Sequence, residues 1–236
     1  MKMNWSKTVR VSLGGFVIAG FLCLSLQRAE AAVLANYDFQ NSDGVSSDSD
    51  TGSTAGVFSF NGLGAIGFDP NPGIAGLTTS IAVNASGMPT SQGTIADYLT
   101  FVITPTSGNR LDMAGAAALT FDYGRVSQLA AFNWAVQSSV DGFASNIASG
   151  TTPTSGTLNQ ASITLSSAFD SQDTGVTFRI YLWDNGDNGS AKGFIDNVVL
   201  NGTVVPVPEP INVALGVFGL CLAGVGVGRR YLLKRS

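Results

Sequence analysis

Hydrophobic and polar residues alternate with a period of two along several stretches in the middle of the chain. The clearest stretch, residues 176–183, places an aliphatic or phenylalanine side chain at every second position, and residues 99–104 and 132–137 repeat the pattern. Such alternation predicts β-strands that bury one face. Similar runs predict further strands over Val33–Phe39, Gly56–Phe60, Ile81–Asn84, Ala118–Tyr123, Ala161–Leu165 and Phe194–Leu200.

Clusters of Gly, Ser, Asn, Asp and Pro separate these runs and predict loops over Ser42–Thr54, Gly67–Gly76 and Thr151–Gly156. No helical stripe of apolar residues competes with the strand pattern. We therefore expect about nine to eleven short strands, which favours an all-β fold. An antiparallel β-sandwich is the natural architecture for such a chain.

The amino-terminal segment is basic up to Arg10, is mostly apolar over Val11–Leu26 and then carries the triplet Ala29-Glu30-Ala31. A basic region, an apolar region and small residues at the cleavage positions are typical of a secretory signal peptide. We predict a signal peptide over residues 1–31, helical before signal peptidase cuts after Ala31. The alternative is an uncleaved signal anchor.

The carboxyl-terminal segment is apolar from Ile211 to Gly228, with Asn212 as the one polar interruption. These 18 residues would rise about 27 Å as a helix, close to a bilayer core of about 30 Å. We predict a single transmembrane helix over residues 211–228. The basic residues that follow would stay in the cytoplasm with the middle of the chain outside; they are Arg229, Arg230, Lys234 and Arg235.

A four-residue motif, Val207-Pro208-Glu209-Pro210, stands directly before this span. Together with the span and the basic tail, it resembles the PEP-CTERM sorting signal of bacterial exported proteins. The resemblance covers residues 206–236 and implies recognition by an exosortase, a membrane-embedded transpeptidase similar to cysteine peptidases, and an association with exopolysaccharide. It leaves residues 32–205 as the ectodomain. A plain tail anchor, whose prolines end the preceding strand, is the alternative.

The charge distribution narrows the function of the middle region. Residues 32–206 carry four basic residues against 14 aspartates and no glutamate, a net charge of −10. This balance argues against nucleic-acid binding, which requires a basic face. The chain also has no histidine, which excludes Ser-His-Asp triads and histidine-ligated metal sites.

Both ends of the ectodomain bear a second resemblance. Leu34–Phe39 and Gly193–Gly202 resemble the first and last strands of jelly rolls of the carbohydrate-binding-module type, and Ser138–Phe143 resembles a pattern frequent in PEP-CTERM ectodomains. The jelly-roll resemblance implies that Asp196 and Asp38 help to hold a structural calcium ion, which takes six to eight oxygen ligands. The alternative is that Asp196 accepts hydrogen bonds from nearby turn amides.

Two pairs of aromatic residues are candidates for stacking on sugar rings. Tyr181 and Trp183 lie opposite the aliphatic face of their strand, whereas Phe132 and Trp134 share a face of another strand. Either pair can also belong to the core, where aromatic residues of sandwiches are most often buried. The Tyr181 and Trp183 pair is the better surface candidate.

Paired aspartates are the one acid–base machinery available to a catalytic site in this chain. No local sequence motif singles out such a pair. We therefore expect a non-enzymatic exported protein, anchored as a precursor in the inner membrane and then displayed at the cell surface or in the extracellular matrix, associated with exopolysaccharide. The alternatives are a carbohydrate-binding module or, less favoured, a glycan-active enzyme that uses aspartates.

Overall fold

The structure is a computed structural model that describes residues 31–62, 66–71, 73–77, 79–84, 89, 91–92, 97–126, 131–152, 156–184, 192–207 and 215–225. Several predicted features fall outside these residues. They are the signal peptide up to Glu30 with Ala29, the motif residues Pro208, Glu209 and Pro210, and the basic tail of Arg229, Arg230, Lys234 and Arg235.

Thirteen strands form two antiparallel sheets within the described residues. The first sheet contains β1 (Ala31–Tyr37), β4 (Ile66–Asp69), β5 (Ser80–Asn84), β7 (Asn109–Asp112), β8 (Gly115–Arg125), β11 (Asn159–Leu165) and β13 (Lys192–Pro206). The second contains β2 (Ser53–Ala55), β3 (Ser59–Asn61), β6 (Tyr98–Pro105), β9 (Phe132–Ser138), β10 (Ala148–Thr151) and β12 (Val176–Asp184). The predicted all-β, antiparallel β-sandwich is confirmed.

Strand order fixes which side chains become neighbours. The first sheet runs β11-β8-β13-β5-β4, with β1 and β7 also paired to β13, and the second runs β10-β9-β12-β6-β2, with β3 also paired to β6. β12 and β13 are therefore the central strands of their sheets. Both sheets bury one face against a shared core, and their other faces point outward.

The period of two explains how this core forms. Phe178, Ile180 and Leu182 of β12 are fully buried, because successive side chains of a strand point to opposite faces. Aromatic rings fill the space between the sheets, as Phe101 stacks on Phe178 with ring centroids 5.3 Å apart and Tyr37 tilts against Phe101 at 5.4 Å. Fully burying one such side chain contributes about 1.5–3 kcal/mol.

Two of the local predictions are wrong. Gly56–Phe60 does not form one strand, since residues 56–58 lie between β2 and β3, with Gly56 N–H donating to Val102 O over 2.7 Å and Phe58 N–H to Gly44 O over 2.8 Å. Gly67–Gly76 is not purely a connection, because its first residues belong to β4. The short strands β2, β4 and β10 were missed because they are rich in Gly, Ser, Thr and Asp, residues typical of turns. The four-residue strand β7 was missed because it contains a single apolar residue, Leu111, and so shows no alternation.

The central strand β13 changes partners at a bulge. Along one edge it pairs with β5 over Lys192–Ile195 and then with β1 from Val198 onward, and its register with β8 shifts between Asp196 and Val199. Asn197 occupies the bulge with φ of 48°, a left-handed conformation that Asn tolerates better than most residues. The bulge places the end of β1, and with it Asp38, beside Asp196.

β13 continues through Pro206, which pairs with Asn109, and Val207 N–H donates to Gly108 O over 2.7 Å. The ordered sheet thus extends one residue beyond the expected ectodomain boundary at residue 205. Residues 215–225 are helical, and their large apolar side chains are exposed: Leu215, Val217, Phe218, Leu220, Leu222 and Val225.

Across the residues described, no helix has the length and apolar character needed to cross a membrane.

Candidate functional site

The outward face of the second sheet carries a group of aromatic and amide side chains. We call it the aromatic face and define it by Tyr98 of β6, by Arg179, Tyr181 and Trp183 of β12, and by Asn133 and Gln137 of β9. The registers show that these residues share one side of the sheet. Tyr181 pairs with Tyr98, Trp183 with Asn133, and Arg179 with Gln137.

Arg179 lies in the middle of the aromatic face between two rings. Its guanidinium carbon is 4.3 Å from the centroid of Tyr98 and 3.6 Å from that of Phe143, which follows the short 3-10 helix Ser139–Asp141. Both are cation–π distances. Arg179 Nε is buried without a hydrogen-bond partner, and no carboxylate of the described residues forms a salt bridge with Arg179.

Tyr98 and Tyr181 support each other beside this cation. Their ring centroids are 5.6 Å apart at an interplanar angle of 59°, a tilted geometry that aromatic pairs favour. The hydroxyl of Tyr98 accepts a hydrogen bond from Nδ2 of Asn61 over 2.6 Å. Tyr181 is consequently 7% exposed, so that it buttresses the face rather than presenting a free ring.

Trp183 is half-buried at the end of the same strand. Asn133 lies directly opposite Trp183 on β9, and Thr151 lies opposite Asn133 on β10. The hydroxyl of Thr151 donates to Oδ1 of Asn133, which fixes the orientation of this amide. The arrangement places a partly exposed indole next to an amide and a hydroxyl on the outward surface of the sheet.

The structure separates the two aromatic pairs that the sequence singled out. Tyr181 and Trp183 lie on the outward side of β12, opposite its aliphatic residues. Phe132 and Trp134 belong to the core, since Phe132 is fully buried and Trp134 packs against Phe121 and Tyr123 at centroid distances of 5.0 and 5.5 Å.

The outward face of the first sheet is crossed by a line of polar residues, one from each of five strands. We call it the acidic row: Asp69 of β4, Ser80 of β5, Asp196 of β13, Asp122 of β8 and Gln160 of β11. Asp69 pairs with Ser80, Asp196 with Asp122, and Asp122 with Gln160. The last pair between β5 and β13 is Ile81 with Ile195. Because the strands are antiparallel, the next position along each strand places Ser80 beside Asp196.

Asn197 joins the two central carboxylates of the acidic row. Its backbone N–H donates to Oδ1 of Asp196 over 2.8 Å, and its Nδ2 donates to Oδ2 of Asp122 over 2.9 Å. Gln160 Nε2 donates to the other oxygen of Asp122 over 3.1 Å. Asp196 therefore accepts a hydrogen bond from a neighbouring backbone amide, but this amide lies in the bulge of β13 rather than in a turn.

Asp196 is a carboxylate of the acidic row whose charged form is disfavoured by its surroundings. It is 1% exposed, and burial, together with the nearby charges of Asp122 and Asp38, raises its pKa to about 7, although the bond from Asn197 acts in the opposite direction. Directly opposed like charges in a sheet are destabilising. A proton or a cation on Asp196 would relieve this cost.

The fit of this site to calcium is partial. Asp38 and Asp196 interact electrostatically, as the proposed pair requires, and the hydroxyl of Ser80 is buried with no hydrogen-bond partner among the described residues. However, no three His, Cys, Asp or Glu side chains of the described residues are grouped as metal ligands. Calcium would need most of its six to eight oxygens from carbonyls, hydroxyls or water.

Sequence reasoning missed most of the residues that define these two faces, among them Tyr98, Asp122 and Ser80, and it missed the role of Arg179. Asp122 and Arg179 stood in correctly predicted strands, where the alternation marks them as outward. The register between strands brings Asp122 to Asp196 and Arg179 to Tyr98. The sequence of a single strand does not reveal its register with another strand.

No protein-family model and no curated protein matches the chain. Among solved structures, the K3 cleaved adhesin domain of Lys-gingipain from Porphyromonas gingivalis matches 73% of this chain and 99% of its own at 17% identity and a TM-score of 0.41. TmCBM61 in complex with β-1,4-galactotriose matches 74% of this chain and 98% of its own at 10% identity and 0.40.

A third solved structure is the CBM22-1 xylan-binding domain of Paenibacillus barcinonensis Xyn10C. It covers 75% of this chain and 97% of its own, at 10% identity and a TM-score of 0.40. Similarities at this level transfer no residue role to this chain. The function is therefore argued from its own side chains.

Proposed function

We propose that the protein is an exported, non-catalytic carbohydrate-binding module that holds polysaccharide on the aromatic face. The observation that carries this proposal is the half-buried Trp183 set on the outward surface of the sheet beside Asn133 and Thr151. A sugar ring has apolar C–H faces and a polar rim of hydroxyls. An indole face with adjacent amide and hydroxyl groups matches both chemistries.

The Tyr98 and Tyr181 pair supports this role by rigidity rather than by direct contact. Because Tyr181 is packed against Tyr98 and β12 is the central strand of its sheet, Trp183 is attached to a stiff platform. A preorganised platform binds with little loss of conformational entropy. Tyr181 thus positions the surface, and Trp183 is the residue that would stack on the sugar.

The termini supply the cellular setting of the proposal. We infer that signal peptidase removes residues 1–31 and that the PEP-CTERM-like segment, residues 206–236, holds the precursor in the inner membrane until an exosortase processes it. The exposed apolar residues of the helical segment 215–225 support an apolar environment for this segment. The ectodomain would then reach the cell surface or the extracellular matrix.

The glycan proposal is tested by substituting Trp183→Ala in the mature protein. Binding to immobilised neutral polysaccharides, such as galactan, xylan and mannan, is measured by affinity electrophoresis. We expect the wild type to be retarded by at least one of them, and the variant to bind about 10- to 100-fold more weakly, a loss of about 1.4–2.8 kcal/mol.

Phe60→Ala is the matched control for this test. Phe60 is a partly exposed aromatic residue of the second sheet whose ring packs against Phe68 of the first sheet, away from the aromatic face. Its removal should leave binding unchanged. Equal binding by wild type and Trp183→Ala would refute the role of Trp183, and no binding to any glycan would refute the function.

The sorting proposal predicts that Glu209→Ala accumulates as an unprocessed, membrane-retained precursor. Glu209 is the one charged residue of the motif and the natural group for the processing enzyme to read. Intact mass and cell fractionation in a host that carries an exosortase distinguish the forms. Normal processing of the variant would contradict the proposal.

A further inference from the structure

Arg179 has the properties of an anion-binding residue that lacks its anion. Its guanidinium is enclosed between Tyr98 and Phe143, and its Nε is buried without a partner. No salt bridge to Arg179 exists among the described residues, although the ectodomain contains 14 aspartates. Burying a charged guanidinium nitrogen without a partner is costly, and cation–π contacts offset only part of that cost.

The neighbours of Arg179 leave the surrounding surface suited to a sugar. Thr100 and Gln137 lie directly opposite it on the two adjacent strands. Gln137 Nε2 donates to Oδ1 of Asn146 over 3.0 Å, and the side-chain amide of Asn146 also exchanges hydrogen bonds with that of Gln92. The residues that pair with Arg179 across the sheet are therefore neutral, and Arg179 shares its face and its strand with Trp183.

We propose that Arg179 binds a carboxylate of an acidic sugar, so that the polysaccharide held on the aromatic face contains uronic acid residues. This inference rests on the proposed function and specifies its ligand class. The planar guanidinium fork matches a carboxylate with two parallel hydrogen bonds. Trp183 would stack on one sugar of the chain while Arg179 pairs with the carboxylate of another.

The charge of the ectodomain limits how dense these carboxylates are. With a net charge of −10 over residues 32–206, the domain repels a polyanion at long range. A nucleic acid or a continuous polyuronate needs several basic residues to overcome this repulsion. A mainly neutral glycan with isolated uronic acids needs one arginine, which is what the aromatic face provides.

The experiment compares polysaccharides with and without their carboxylates. Glucuronoxylan, with sparse uronic acids, and polygalacturonate, with dense ones, are each used in native form and after chemical reduction of the carboxyl groups. We expect the wild type to bind native glucuronoxylan about 10- to 100-fold more tightly than its reduced form, and more tightly than polygalacturonate. Added salt should weaken this preference.

Arg179→Met removes the charge and keeps an unbranched apolar stem, and it should bind native and reduced glucuronoxylan equally. Arg179→Lys keeps the charge without the fork and should retain part of the preference, which guards against a folding defect in the first variant. Arg110→Met is the matched control, because Arg110 is also half-buried with a buried, unpartnered Nε but belongs to β7 of the first sheet.

The outcomes separate the two proposals. If the wild type binds native and reduced forms equally, or if Arg179→Met keeps the preference, the carboxylate assignment is wrong. Binding to neutral glycans that Trp183→Ala abolishes would then leave the carbohydrate-binding function standing. If neither neutral nor acidic polysaccharides are bound, both proposals fail.

Discussion

The outward faces of the two sheets start from the same alternating pattern and end in different environments. On the first sheet, Phe194 of β13 points outward and is fully buried, and its neighbour on that face, Asp196, is buried as well. On the second sheet, Trp183 of β12 points outward and remains half-exposed. Outward orientation in a sandwich therefore does not decide exposure; the segment that covers the sheet does.

The first sheet is covered by the segment 73–77. Ile74 and Leu77 form a small second core with Phe194 and Ala82. Gly124, directly opposite Phe194 on β8, permits this close approach, because a Cβ at this position would stand 2.9 Å from Cδ1 of Ile74. The cover that excludes water from Phe194 lies on the same face as Asp196.

The largest expected effect follows from removing the ring under this cover. Phe194→Ala should lower the free energy of unfolding by about 3–5 kcal/mol, the cost of emptying a buried aromatic site. Urea denaturation at fixed pH measures it. The second, small core would lose its central side chain, so the destabilisation should exceed that of any single substitution on the aromatic face.

Trp183→Ala supplies the other half of this comparison. An outward, half-exposed residue away from the core should change the free energy of unfolding by no more than about 1 kcal/mol. The same substitution is expected to weaken glycan binding about 10- to 100-fold, so that stability and binding respond to different faces. Equal destabilisation by the two variants would show that both faces are structural.

The sequence could predict the fold because the alternation of Phe178, Ile180 and Leu182 is a local property of one strand. It could not predict the burial of Phe194, since the cover over this residue comes from residues 73–77, which are far away in the chain and rich in glycine. The candidate sites depend on cross-strand register, as in the pairing of Asp196 with Asp122.

The pKa values of two aspartates of the acidic row shift in opposite directions. A hydrogen bond from Lys192 lowers the pKa of Asp69, with a further contribution from the N–H of Asn71. Burial instead raises the pKa of Asp196. Asp69 therefore stabilises the fold above its unfolded pKa and loses this contribution in acid, whereas Asp196 destabilises the fold as it ionises.

This opposition leads to the last prediction, Asp196→Asn in calcium-free buffer. Because the pKa of Asp196 is about 7 in the folded chain against 3.8 for an unperturbed aspartate, the wild type should lose stability as pH rises from about 4 to about 7. The loss approaches about 4 kcal/mol at full ionisation, at about 1.4 kcal/mol for each pKa unit. Asparagine keeps the acceptor for Asn197 and removes the charge, so its melting temperature should be nearly independent of pH in this range.

The melting temperature in the presence of calcium chloride shows whether a proton or a calcium ion neutralises Asp196. If a calcium ion neutralises the acidic row, added calcium should raise the melting temperature of the wild type at pH 8 and leave Asp196→Asn unchanged. The control Asp69→Asn should respond to calcium like the wild type while losing at most about 1 kcal/mol at neutral pH, the usual limit for a partly exposed ion pair. A wild type whose melting temperature is unaffected by both pH and calcium would contradict the buried, ionised Asp196, because neither a proton nor a cation would then relieve a cost that the fold imposes.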